Sequence, residues 1–241
     1  GIKKARGKYI GFVDGDDWVS EDMFGTLYRL AEAKQAEIAA CRFCEIGPQD
    51  VEKTDGTSSV TVLDPEDMLK KFFLRQITES VCDKLFLREL FCDVRFPEGE
   101  INEDTAVFVK LVMKSRKNVF LDSTLYFYRK REGSITRSGY SPRFRVVDKH
   151  IREIEALTSE KYPRLKPYRE YFFGVHYYCL VLSVLKDSRR KEYQQDYVHY
   201  LRRFQRFFIP FMRWGMGKPK DRILAVLLVF RCGPLLYGGI R

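Results

Sequence analysis

The sequence lacks the long apolar segment of a membrane-spanning chain and the leader pattern of an exported one. Its longest late apolar run, Ile223 to Phe230, has eight residues, whereas a spanning helix needs about 20. The first residues do not show the pattern of a signal peptide, in which a charged region is followed by an apolar region and then by small residues. We therefore expect no segment of this sequence to cross a bilayer.

Cysteine is sparse and irregularly placed. The six cysteines show no dense disulfide spacing, which favours a reducing compartment. Cys41 and Cys44 form a C-x-x-C pair, but no second such pair and no nearby histidine offers the remaining ligands of a zinc site. We interpret them as two small, mostly buried thiols in a strand, and a metal or redox role is the less favoured alternative.

The composition is that of a folded protein with a basic tail. Of 241 residues, 45% are hydrophobic, and 19 Phe and 14 Tyr are present, which is unlike a disordered chain. This size suits one large domain, or one domain with an appendage. From Leu185 onward, 13 basic residues face four acidic ones, so the tail carries +9 of the net charge of +10. We therefore expect a partner that binds this positive charge to bind at the tail.

The first part of the chain predicts an α/β arrangement. Tyr9 to Val13 is typical of a short buried strand, and it ends in the acidic turn Asp14 to Asp17. Ser20 is a candidate N-cap for a helix that runs to about Ala36. A second strand is predicted from Ile38 to Phe43. This order of strand, turn, helix and strand is typical of α/β proteins.

The later elements are less regular until the pattern becomes helical from about Pro142. The best candidate boundary lies between Ser138 and Pro142, and Pro210 is expected to bend or break a helix. The other predicted elements are a loop or hairpin over residues 47–60, a helix starting at Asp64-Pro65, a helix over Glu103 to Lys114 capped by Asn102, and strands over 118–121 and 125–128.

The acidic turn carries the first candidate site. Carboxylates this close repel one another and are comfortable only when solvated, hydrogen-bonded or bound to a cation. Hard oxygen ligands suit Mg²⁺ or Mn²⁺. Beyond the carboxyl end of a sheet strand, such a cation would face the ligand crevice and could hold a diphosphate. An ordinary surface turn is the alternative, since Asp and Gly are common turn residues.

The segment Gly7 to Val19 closely resembles the metal-binding segment of family 2 glycosyltransferases. The resemblance implies the GT-A fold, an α/β domain with a mixed sheet, and places its C-terminal part in residues 1–140 and a helical basic region in residues 141–241. It also implies that Asp14 faces the nucleoside and that Asp16 binds a divalent cation, Mn²⁺ or Mg²⁺. Asp17 corresponds to the usual companion acid.

Two further motifs follow in the family's order. The first runs through Asp83-Lys84-Leu85-Phe86, a Phe-Pro turn at Arg95 to Gly99, and Asn102-Glu103-Asp104. By resemblance, Asp104 is the candidate catalytic base, Glu103 is its alternate or partner, and Lys84 belongs to the donor site. The alternative for the two acids is ordinary, because acids in a first helical turn favour the helix dipole.

The second of these motifs is the aromatic segment Leu125 to Arg129, followed by Gly133-Ser134-Ile135. Basic groups on such a loop could pair with donor phosphates. Arg129, Arg131 and Ser134 are therefore candidates for nucleotide-sugar binding, with Lys130 beside them. Solvated charges on an edge strand are an equally open interpretation.

The resemblance implies an inverting, metal-dependent hexosyltransferase. Its donor would be a nucleotide-diphosphate sugar, such as a UDP-sugar, and its acceptor a saccharide or lipid-linked hydroxyl in cell-surface polysaccharide or glycolipid synthesis. The family's opening strand, helix and second strand, which hold most nucleotide contacts, have no counterpart before Gly1. We therefore expect an incomplete donor pocket, an uncovered sheet edge and no transfer by this chain alone.

The tail interleaves apolar residues at helical spacing with arginines. A second apolar run, from Ile223 to Phe230, is bordered by Lys and Arg. Both patterns suit the surface of an anionic membrane, and we predict a cytoplasmic protein that is peripheral on the inner face of the plasma membrane. Packing of the Phe stripe against the catalytic domain is the alternative. Nucleic acid is not an expected partner, since no nucleic-acid-binding motif accompanies the charge.

Two rival functions are weighed against sugar transfer. A nucleotidyltransferase or phosphotransferase would also use an acidic metal site, but the sequence has no Gly-rich phosphate-binding loop. A non-catalytic fragment that acts as a basic membrane-interaction module is the other alternative.

Overall fold

A computed structural model of the chain describes residues 1–47, 56–130, 139–214 and 219–230. The chain forms two compact units. The first consists of 1–72 with 76–137, and the second of 73–75 with 138–241.

The first unit is built on a mixed six-stranded sheet. The strand order is β1-β5-β3-β6-β2, and β4 also pairs with β6. The β3–β6 pair is parallel and the other pairs are antiparallel. The strands are β1 (Tyr9–Gly11), β2 (Trp18–Val19), β3 (Ile38–Ile46), β4 (Val60–Leu63), β5 (Lys84–Leu87) and β6 (Asn118–Arg129).

Strand β6 joins two segments that the sequence predicts as separate strands. Its parallel register with β3 shifts between Ala40 and Phe43, which is a bulge. The polar residue Asp122 lies in the corresponding part of β6, and its carboxylate accepts hydrogen bonds from Arg42 at 2.8 Å and from the Thr57 hydroxyl at 2.7 Å. The polar interruption in the sequence is therefore an irregularity within one strand.

The predicted thiol pair lies in a strand, as expected. Cys41 and Cys44 both belong to β3 and both are free thiols. Cys41 is buried, and its thiol donates to the Asp83 carbonyl at 3.3 Å. This hydrogen bond joins β3 to the start of β5.

Three helices belong to the first part of the chain: α1 (Met23–Lys34), α2 (Pro65–Phe73) and α3 (Glu103–Lys114). The predicted start of α2 is confirmed, because the Asp64 carboxylate accepts the Asp67 N–H at 2.8 Å. The Ser20 cap is wrong, since α1 begins at Met23 with Asp22 before it. Asn102 does precede α3, but with φ at 56° its side chain donates to the Thr105 hydroxyl rather than capping a backbone N–H.

The second unit is helical, as the sequence predicts. The break between the two helices around Pro210 falls at Phe207. The long helix α5 is buried along most of its length, and Phe204 and Phe211 are fully buried within the same unit. The helices are α4 (Arg145–Ser159), α5 (Lys166–Lys186), α6 (Gln194–Arg206), α7 (Phe208–Trp214) and α8 (Pro219–Val229).

In the portions of the chain that the structure describes, every helix is too short or too polar to cross a membrane.

Candidate functional site

The acidic turn lies between β1 and β2 and is fastened to β6. The turn is closed by a hydrogen bond from the Asp17 N–H to the Asp14 carbonyl at 3.1 Å. The Asp17 carboxylate accepts the Tyr126 hydroxyl at 2.6 Å and the Arg129 N–H at 2.9 Å. The Tyr126 oxygen in turn accepts the Asp14 N–H at 3.3 Å. Asp17, predicted as a donor-binding acid, is thus an anchor that holds the turn in place.

The other two acids of the turn, Asp14 and Asp16, face solvent. Partial desolvation raises the pKa of Asp14 above its ordinary value, and the charges of Asp17 and Asp16 raise it further. A thiol hydrogen bond from Cys82 acts in the opposite direction. Crowded carboxylates of this kind gain from a bound cation, because its charge cancels their repulsion.

Lys84, predicted to bind the nucleotide-sugar, is buried and bonded within the protein. Its ammonium is fully buried and donates to the Asp83 carboxylate at 2.5 Å, the Ser80 carbonyl at 2.6 Å and the Thr78 carbonyl at 3.0 Å. It also lies 4.8 Å from the centre of the Phe108 ring. Lys84 thus holds the loop that precedes β5, and its contact with a nucleotide-sugar stays a prediction.

That loop delivers Cys82 to the acidic turn. Its thiol hydrogen-bonds the Asp14 carboxylate and contacts the hydroxyls of Tyr126 and Ser80. Burial, followed by the charge of Asp14, raises the pKa of Cys82 to about 11. The thiol therefore stays neutral and donates. Neither Cys82 nor Tyr126 was identified from the sequence, although both sit within or beside the matched motifs.

Asp104 lies in the first turn of α3 and is half-buried. Burial, followed by the neighbouring Glu103 charge, raises its pKa to about 6, although the Val81 N–H and the Lys84 charge act in the opposite direction. The Asp14 charge also acts on it. The structure therefore brings Asp14, Cys82, Glu103 and Asp104 into one acidic cluster, although Asp14 and Asp104 come from two separate motifs.

Arg129 is the described basic candidate closest to the turn. Its guanidinium lies over the Trp18 ring at 5.1 Å, and Trp18 stacks on Phe127 at 5.8 Å. Its side chain is exposed. Arg131 and Ser134, the other candidates on this loop, lie outside the described residues.

The donor atoms suit a cation that is shared with a substrate. Within residues 1–47, 56–130, 139–214 and 219–230, no three Asp, Glu, His or Cys side chains form a metal-binding group. Mg²⁺ commonly takes one or two carboxylates from a protein and further oxygens from bound phosphates. The exposed carboxylate of Asp16 fits that arrangement, and it does not fit an all-protein cage.

Two surface grooves are lined by residues outside the acidic cluster. One, of about 440 Å³, is lined by Lys8, Tyr9, Gly11, Phe24, Tyr28 and Leu85. The other, of about 330 Å³, lies beside the 3-10 turn Arg88–Phe91. Neither groove contains a residue of the acidic cluster. The candidate site is therefore identified by its side-chain chemistry and not by a cavity.

Comparison with known proteins gives matches to one family. Residues 1–92 match the family described as "Glycosyl transferase family 2". Glycosyltransferase GlyA of Streptococcus pneumoniae is 32% identical over 150 residues, which cover 57% of this chain and 21% of that protein. The uncharacterized glycosyltransferase EpsJ of Bacillus subtilis is 32% identical over 164 residues, which cover 64% of this chain and 46% of that protein. The chain thus spans less than half the length of these two relatives.

Among solved structures, S. aureus TarS 1-349 in complex with UDP-GlcNAc matches with a TM-score of 0.61. The match covers 98% of this chain and 67% of that one, at 16% sequence identity. At this identity the likeness concerns the fold. It confirms the predicted class, a GT-A-like mixed α/β domain followed by a helical region.

Proposed function

We propose that the chain serves to transfer a sugar from a nucleotide-diphosphate sugar to an acceptor hydroxyl, because its residues 1–92 match glycosyl transferase family 2. The TarS structure that shares its fold holds UDP-GlcNAc, which supports a UDP-sugar as the donor. The acceptor that the family resemblance implies is a saccharide or lipid-linked hydroxyl in cell-surface polysaccharide or glycolipid synthesis.

The observation that carries this proposal is the convergence of the acidic turn and the first turn of α3. Asp14 and Asp104 are 90 positions apart in the chain, yet the Asp14 charge acts on Asp104 and both charges act on Cys82. A transferase needs a carboxylate for the acceptor and another for the donor side. The cluster supplies both in one place.

The proposed reaction is a single displacement at the anomeric carbon, which inverts the configuration there. Each acid has its own role in it. Asp104 accepts the proton of the attacking hydroxyl, and its pKa near 6 leaves it ionised and still basic at neutral pH. Glu103 supports it by raising that pKa. Asp14 faces the nucleoside. A cation bound at Asp16 supplies charge neutralisation for the departing diphosphate.

Replacement of Asp16 tests the donor side. In Asp16→Asn we expect binding of a UDP-sugar in the presence of Mn²⁺ to weaken by about tenfold or more, because a charged ligand contact is worth roughly 1.5–3 kcal/mol. Removing Mn²⁺ with a chelator should weaken wild-type binding similarly and change Asp16→Asn little. Calorimetry measures this on the present chain and on a form extended upstream to the length of its relatives.

The matched control is Glu21→Gln, which removes an exposed acid five positions further along. It should bind like the wild type. If neither form binds any UDP-sugar with Mn²⁺, or if Asp16→Asn binds as well as the wild type, the proposed donor site is wrong.

Tyr126 offers a test of how the turn is held. Tyr126→Phe removes the donor to Asp17 and the acceptor of the Asp14 N–H. We expect a loss of about 1.5–3 kcal/mol in the free energy of unfolding, since one lost hydrogen bond goes to a charged group. Mn²⁺-dependent donor binding should weaken as well. Urea unfolding and calorimetry measure the two effects.

Tyr128→Phe, two residues along the same strand, is the matched control for Tyr126→Phe. It should leave both quantities close to those of the wild type. Equal behaviour of the two variants would contradict the role given to the Tyr126 hydroxyl.

A further inference from the structure

Helix α8 carries large apolar side chains that are exposed on one side. Ile223 is 62% exposed and Phe230, directly after the helix, is 70% exposed. Leu227, between them, is partly exposed. These three residues follow one another at intervals of four and three positions, so they lie on one helical face. We refer to Ile223, Leu227 and Phe230 as the α8 apolar face.

The opposite side of α8 is packed within its own unit. Ala225 and Leu228 are fully buried there. The Asp221 carboxylate accepts the Tyr178 hydroxyl at 3.1 Å, and the Val229 carbonyl accepts the Gln205 amide at 3.2 Å. The helix is therefore docked through one side, and its exposed face is a surface of the unit. A helix that is apolar all round normally has both sides covered.

The neighbouring helix α7 also carries exposed apolar side chains. Helices α7 and α8 contact each other. On α7, Ile209 is 74% exposed and Trp214 is 38% exposed. Four of the eight large exposed hydrophobic residues among the described positions therefore fall between 209 and 230. Such a concentration marks a place where another surface is bound.

The charges beside the α8 apolar face are positive. Lys220 and Arg222 are exposed at the start of the helix. Arg213, on α7, is exposed and lies over the Trp214 ring at 5.6 Å. The acid between the two α8 cations, Asp221, is engaged by Tyr178. An occupant of this face therefore meets apolar side chains bordered by cations, which complements an anionic apolar surface.

We propose that the α8 apolar face docks on an anionic lipid surface, with the helix lying in the plane of the interface. A helix of 11 residues is about 16 Å long. It is too short to span a bilayer and has the character of interfacial helices, whose apolar side enters the headgroup boundary while Lys and Arg meet anionic lipids. A second protein copy fits less well, because a stable interface needs about 20–30 residues a side.

Sedimentation with vesicles tests the apolar part of the proposal. The full chain should sediment with phosphatidylcholine vesicles that contain phosphatidylglycerol, and bind pure phosphatidylcholine far less. In the double variant Ile223→Ser/Phe230→Ser we expect binding to weaken by about tenfold or more. Both side chains are exposed, so the fold is expected to persist, and circular dichroism checks this.

A matched double variant comes from β4, where Val60 and Val62 are 40% and 48% exposed. Val60→Ser/Val62→Ser removes exposed apolar surface from the first unit and should leave vesicle binding unchanged. Equal loss in both double variants, or no loss in Ile223→Ser/Phe230→Ser, would overturn the proposal.

The charged part is tested by Lys220→Glu/Arg222→Glu. Each cation near an anionic membrane contributes about fivefold to binding, so this reversal should weaken binding by more than tenfold. The control Lys3→Glu/Lys4→Glu makes the same charge change at exposed positions of the first unit and should have little effect. Equal weakening by both pairs of substitutions would show that overall charge accounts for the attraction, and it would contradict binding through a specific face.

Sedimentation equilibrium without lipid tests whether a second copy of the chain, and not a lipid surface, binds the α8 apolar face. A wild-type dimer that Ile223→Ser/Phe230→Ser converts to a monomer, together with no vesicle binding, would assign the face to self-association and overturn the lipid proposal. A monomeric wild type that binds anionic vesicles supports it.

Discussion

Asp104→Asn is expected to lower turnover by about 10²–10⁴-fold in a form extended upstream to the length of its relatives, and to stabilise the protein at neutral pH. The loss of turnover follows because an amide cannot accept the proton of the acceptor hydroxyl. The gain in stability follows because the variant removes a half-buried charge. Donor binding with Mn²⁺ should stay close to that of the wild type, since the proposed donor contacts belong to the acidic turn.

The sign of the stability change comes from the pKa of Asp104. Burial, and next the Glu103 charge, raise this pKa from 3.8 to about 6, so the ionised carboxyl is less favourable in the folded state. The cost is absent below about pH 4, grows as the pH rises to 6 and is complete above it. It amounts to about 2–3 kcal/mol. Asp104→Asn should gain this much at pH 7 and almost nothing at pH 4, as measured by urea unfolding.

The pH dependence of turnover gives an independent check on Asp104. A base with a pKa near 6 predicts that kcat/KM falls as the pH drops through this value. Glu103→Gln removes a charge that raises the pKa, so the fall should move to lower pH. Normal turnover by Asp104→Asn, or an acid limb that Glu103→Gln leaves in place, would contradict the assignment.

Lys84→Met should destabilise the protein by about 3–5 kcal/mol, because it leaves the Asp83 carboxylate as an uncompensated buried charge. Lys84 and Asp83 are 0% and 1% exposed. The ammonium also holds the carbonyls of Thr78 and Ser80, so the loop that carries Cys82 loses its anchor. Urea unfolding at neutral pH measures the change.

The double variant Asp83→Asn/Lys84→Met separates the charge from the packing. It removes both charges, and we expect it to recover a large part of the lost stability. Lys114→Met is the exposed counterpart, since its partner Asp93 is 73% exposed, and it should cost less than about 1 kcal/mol. A Lys84→Met change as small as that of Lys114→Met would contradict the buried pair.

Local features of the fold were readable in the sequence. The predicted helix over Glu103 to Lys114 has those bounds, and the Asp64-Pro65 start of α2 is confirmed. These features depend on residues within one turn of each other, so a short window contains their cause. The acidic turn after β1 was found for the same reason.

Long-range features were not readable. Asp17 looked like a ligand acid because its partner Tyr126 is 109 positions away. Lys84 was assigned to the donor site by resemblance, and a short window around it does not show that tertiary packing buries it beside Asp83. The tail shows the same limit. Its sequence marks apolar faces, but only the fold separates Phe204, which is buried, from Ile223, which is not.

The link between the acidic turn and β6 also sets the order in which the site can form during synthesis. The acids of the turn are all present once Asp17 has been made, yet the hydrogen bonds that fasten the turn wait for Tyr126 and Arg129. Pairing across so many residues is slow, because the loop between them must first be closed. A nascent chain that stops before β6 therefore carries the acids of the site without their geometry, and competence for donor binding should appear abruptly when this strand emerges.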